Sequence, residues 1–126
     1  MIQRDFLMRQ LAQMVQVLAA VMGRRREGDI EGAQQALGEG LAEATGLDLA
    51  AYRAMSRAEI EALASEDGWA SAEKAVGLAD LLREDRDPAG RLRARWLYEQ
   101  AVRVGGPVPF DVGDRIAALP RDDGSA

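Results

Sequence analysis

The sequence predicts an all-α fold of six or seven helices, and three observations carry that expectation. Apolar residues recur every three or four positions along most of the chain, and no segment alternates with period two over a strand's length. Helix stop and start signals punctuate it: Gly28-Asp29, Gly46 shortly before Asp48, Asp87-Pro88, and Gly105-Gly106-Pro107. With 126 residues, 48% of them hydrophobic, the chain is long and apolar enough for a single core.

The elements follow in order. Residues 2 to about 27 form one long helix, with Leu7, Leu11, Met14, Leu18 and Val21 on one row and Met8, Val15 and Met22 on a second. A stripe this wide on an opening helix indicates burial on two sides. Gly28 supplies a left-handed stop and Asp29 caps the next helix, which runs to about 45 with Ala33, Ala36, Leu37, Leu41 and Ala44 inward. A short helix follows Asp48. Ser56 and Glu59 then make a capping box for a helix carrying Ile60, Leu63 and Ala64, before a turn at 65–68. Ser71 to about Glu84 is helical through Ala75, Val76, Ala79, Leu81 and Leu82. Asp87-Pro88 opens the last long helix, which ends near Val104, because proline at the first helical position loses no bond. Residues 111 to 118 make a final short helix. The single helical domain is therefore 1–118, and 119–126, LPRDDGSA, is a flexible tail.

Two stretches echo each other, REGDIEGAQQALGEGL at 26–41 and REDRDPAGRLRARWLYEQAV at 83–102. Ala33, Leu37, Gly40 and Leu41 align with Ala94, Tyr98, Ala101 and Val102 at a constant offset. Small residues at the first and third positions admit a neighbouring helix, and the larger ones fill the space between helix pairs. In this order of turn glycine, small, large, small and aliphatic residues, the chain resembles the tetratricopeptide repeat, a helix-turn-helix unit of about 34 residues. It is most similar to small bacterial proteins with degenerate repeats. The opening helices lack that family's Trp and Leu-Gly pair, with Val17, Ala20 and Val21 there in one unit and Leu78, Leu81 and Leu82 in the other. The resemblance implies antiparallel helical hairpins at about 12–46 and 75–108 in a right-handed stack, with a helical insertion at about 47–70. It also implies protein or peptide binding. The family's best-known clamp uses Lys and Asn on a carboxylate terminus; this chain has one Lys and no Asn, so no residue inherits that role.

Composition narrows the chemistry. There is no Cys, which removes disulfides and thiolate sites, and no His, the side chain most used in acid-base catalysis near neutral pH. A net charge of −5 argues against nucleic acid as a partner. Acidic pairs at helical spacing, Glu27/Glu31, Glu39/Glu43 and Asp80/Glu84, read as solvated helix faces, so no metal and no cofactor is expected. The apolar run 11–22 is interrupted by Gln13 and Gln16, has Asp5 before it, and is shorter than the ~20 residues that cross a bilayer, so a cytoplasmic protein without a membrane segment is expected.

The candidate contacts are few. Phe6, Met8, Val15 and Met22 fall outside the stripe one core needs, and a patch of that size calls for cover. They are the expected interface of a homodimer through the first helix, with the 47–64 insertion as the rival cover. Arg24, Arg25 and Arg26 form the one dense basic run, either an anion or acidic-partner site or a complement to the helix dipole. Trp69 is a staple on the loop or an exposed anchor, and Trp96 is expected in the core. The expectation is a non-catalytic binding or assembly module. An enzyme or ligand-binding protein working through Asp, Glu and Arg, and a purely structural homodimer, are the competing classes.

Overall fold

The computed structural model describes residues 2–66 and 69–121, and the fold is all-α. Among the described residues the helices are α1 (Ile2–Arg26), α2 (Ile30–Thr45), α3 (Leu49–Arg53), α4 (Arg57–Leu63), α5 (Ala72–Leu82), α6 (Pro88–Val104) and α7 (Val112–Ala117). Between α4 and α5 the chain makes one small antiparallel ladder, β1 (Ser65–Glu66) against β2 (Trp69–Ala70), with Ser65 opposite Ala70 and Glu66 opposite Trp69. The turn expected at 65–68 is thus held from its two sides, and 67–68 lie outside the described residues.

Local chemistry sets the boundaries. Asp29, Asp48, Ser56, Ser71 and Asp87 each accept from a backbone N–H in the first turn of the following helix, and Ser56 and Glu59 complete both halves of the capping box. Gly28 has φ +78°, which an L side chain adopts only at a cost.

The core is one cluster. Leu7, Met14 and Val21 present a buried row along α1, Ala33, Leu37 and Leu41 one along α2, and Leu78, Ala79, Leu81 and Leu82 one along α5. On α6, Leu92, Ala94, Leu97, Tyr98 and Ala101 are buried. Helix α1 packs along α2, α5 along α6, and α1 also against α5. Two glycines permit these approaches. A Cβ on Gly40 would lie 2.5 Å from Val17 Cγ1, and one on Gly77 would lie 2.9 Å from Met14 Cε.

The segment α3–α4 seals α6, not α1. Arg93 Nη2 donates to the Met55 carbonyl at 2.7 Å, Gln100 Nε2 to the Glu61 carbonyl at 3.0 Å, and Arg103 Nη2 reaches Glu61 Oε2 at 2.6 Å. Past 118, Leu119 is buried, and Arg95 Nη1 donates to its carbonyl at 3.1 Å and to that of Ile116 at 2.9 Å. Leu119, the first residue of the expected 119–126 tail, thus has a core to enter. Trp96 is half-buried against the core, with the Arg93 guanidinium 4.7 Å from its ring centroid.

Candidate functional site

Four of the exposed large hydrophobic side chains lie on α1. Phe6, Met8, Val15 and Met22 are 61%, 52%, 67% and 39% exposed, and Ala12 and Ala19 are exposed beside them. Helix geometry divides this set. Val17 faces Gly40 on α2, and Val15, two residues earlier, lies roughly 160° around the helix from it. Met8, Val15 and Met22 therefore form a row turned away from α2, beside the Leu11 and Leu18 row that reaches the core. Phe6, two residues before Met8, is on the other side by the same ~160° and does not share that row. Nothing from α3 or α4 covers the row, since those helices sit on α6.

Helix α1 is also long and apolar enough to cross a membrane by length and composition: within Asp5–Arg26 an 18-residue window reaches a mean hydropathy of 1.2, and 17% of that window is buried. The expectation of no membrane segment rests on residues 11–22 alone, and α1 is longer than that run.

The arginine run is dispersed. Arg24 Nη1 pairs with Asp29 Oδ2 at 3.2 Å, and Arg25 donates through Nη2 to the Glu84 carbonyl at 2.7 Å, with Nε 3.3 Å from Glu84 Oε1. Arg26 is exposed and has no ion pair among the described residues. Three guanidinium groups that the sequence sets side by side thus have three different surroundings. The side chain of Trp69 lies outside the described residues.

Two polar centres go beyond the sequence reading, one built on Asp85 and the other on Asp80, an acid expected on a solvated face. Asp85, 1% exposed, sits in the α5–α6 turn. Arg53 of α3 grips it with both arms of the fork, Nε to Oδ2 at 2.8 Å and Nη2 to Oδ1 at 2.7 Å. Gln34 Nε2 of α2 donates to Oδ1 at 2.9 Å, and the Asp87 N–H does so at 3.1 Å. Burial alone would raise this carboxyl; the Arg53 bonds, the Asp87 N–H and the Gln34 amide outweigh it and hold the group below the usual carboxylate range. Gly90 is the local sign of the crowding, since a Cβ there would lie 2.1 Å from Asp85 Oδ2. An open hollow of about 410 Å³ beside it is lined by Glu31, Gln34, Arg53, Arg86 and Asp87.

In the second centre the Tyr98 hydroxyl donates to Asp80 Oδ1, which also accepts from Arg115 Nη1 of α7 at 2.8 Å. Burial, reinforced by the Asp80 hydrogen bond, pushes the Tyr98 hydroxyl up to about 12. It stays protonated at neutral pH and serves as a donor that anchors α5 to α6. Asp80 and Glu84 are therefore engaged in tertiary contacts, the one bridging three helices and the other buried beneath Arg25, rather than lining a solvated face. Among the described residues no three acidic side chains converge to hold a metal ion.

The two polar centres hold the molecule together, and the α1 row is an apolar surface left exposed. No protein-family model, no curated protein and no solved structure matches this chain.

Proposed function

We propose that this protein is a binding and assembly module of tetratricopeptide-like build, whose contact surface is the exposed α1 row of Met8, Val15 and Met22. The observation that carries this reading is the row itself: large apolar side chains, more than a third exposed, on a helix whose opposite side is packed into the core. Leaving them in water costs hydrophobic free energy that a partner would recover, at about 25 cal/mol per Å² covered.

The packing supports a repeat-like build. The first helix of one pair, α1, lies against the first helix of the other, α5, while α2 and α6 are the second helices. The aligned residues Ala33 and Ala94, and Leu37 and Tyr98, are all buried. The alignment ends at its last position, where Leu41 is buried and Val102 is 48% exposed.

Met8→Glu with Val15→Glu tests the reading. Both positions are exposed, so the variant keeps its helix content and melting temperature. The expected result is that it loses interactions of the wild type, seen as a lower solution mass or as proteins captured by the wild type alone. A folded variant matching the wild type in both measurements overturns the reading.

A further inference from the structure

Taking the α1 row as a contact surface, and so resting on the reading above, we infer that its partner is a second copy of this chain, laid antiparallel along α1 about a two-fold axis near the middle of the helix. Met8, Val15 and Met22 recur every seven residues, and a second row, Asp5, Ala12, Ala19 and Arg26, runs beside it at the same interval. A strict seven-residue row drifts only about 20° per repeat on an α-helix, which is the pattern that a second helix can follow in a left-handed coil. A lipid surface or an extended peptide needs no such period.

The second row identifies the occupant. It has an acid at one end, a base at the other and two alanines between, and all four residues are exposed. Two copies placed antiparallel set each Asp5 against the other's Arg26 and each Ala12 against the other's Ala19. A parallel pair would oppose Asp5 to Asp5. The alanines let the two backbones approach, and opposed helices also oppose their dipoles. Neither Asp5 nor Arg26 has an ion pair within the chain among the described residues, while their neighbours Arg24 and Arg25 do. Because each copy carries both halves of the match, the contact is isologous and closes at two.

Light scattering at micromolar concentration is expected to give twice the 13.6 kDa of one chain. At low ionic strength, Asp5→Arg and Arg26→Asp should each weaken the dimer about fivefold or more, as two pairs become repulsive, and the double exchange should restore it. The chain has no cysteine, so Ala12→Cys and Ala19→Cys proteins can be oxidised alone and mixed. The mixed 12–19 disulfide should dominate. Disulfides formed best by each variant with itself, or an unrestored double exchange, overturn the antiparallel pairing. A wild-type mass of 13.6 kDa overturns it too, including a monomer that sediments with phosphatidylserine vesicles. If that monomer still captures proteins that Met8→Glu with Val15→Glu does not, the α1 reading survives while the self-pairing falls. A dimer indifferent to those two glutamates sinks both.

Discussion

Asp85 is an ionised carboxylate enclosed by protein on every side, and such a group stays charged only when its lone pairs are met. Arg53, Gln34 and the Asp87 N–H meet them. Replacing it by Asn keeps the shape but leaves Arg53 only its longer pair with Asp87, Nε to Oδ2 at 3.7 Å. Asp85→Asn should cost about 2 kcal/mol at neutral pH, less than a fully buried pair because Arg53 remains 30% exposed. The pH dependence has a definite sign. A carboxyl lowered in the folded state contributes its stability in full above its unfolded value, about 4, and loses it as the pH falls through the lower folded value. The gap in melting temperature between wild type and Asp85→Asn should therefore be widest near neutrality and shrink below about pH 4. A gap that stays constant into acid would show that the charge is not what Arg53 holds. Nothing local in the sequence announces this centre: Arg53 and Gln34 lie 32 and 51 residues away, and a charge run reads as surface until its tertiary partners are known.

At the scale of elements the sequence is far more legible, because caps and helix faces depend on neighbours within four residues. The starts of α2 through α6 lie where their Asp and Ser caps put them; Ala33, Leu37 and Leu41 of α2 are buried as their spacing indicates, and the α5 row gains Leu78 while Val76 stays half-buried. What periodicity does not show is which helix lies on which. It also hides Leu119, which no helical row contains, whereas the separation of Phe6 from Met8 by about 160° follows from the spacing itself. The two interhelical glycines allow a direct check on the packing. Gly40→Ala gains helix propensity of about 1 kcal/mol but drives a methyl into the branched Val17, a clash costing about 1–3 kcal/mol. Gly77→Ala meets first the terminal methyl of Met14, which can swing aside. Chemical denaturation should thus find Gly40→Ala destabilised and Gly77→Ala neutral or stabilised. The reverse order would mean that α1 sits closer to α5 than to α2.

Across the whole molecule, the two helix pairs share one core and are joined by contacts that skip the chain order. Arg25 ties the end of α1 to the end of α5, α3–α4 brace α6, and Arg115 brings α7 to Asp80. Stacked repeats often unfold piece by piece. Here helix loss by circular dichroism and tryptophan emission should follow one coincident transition, and a first step that melts α1–α2 alone would contradict this packing.

The Asp85 centre also bears on how such a protein can change size over evolutionary time. Arrays of helix pairs lengthen by duplicating a unit and slotting it between its neighbours, which works when each unit touches only the next. One carboxylate here receives Gln34 from the first pair and Arg53 from the segment after it, while it sits within the second pair. An extra pair inserted between them would part all three at once and leave a bare charge in the interior. Asp85 thus acts as a keystone that closes the middle of the chain to insertion of another helix pair.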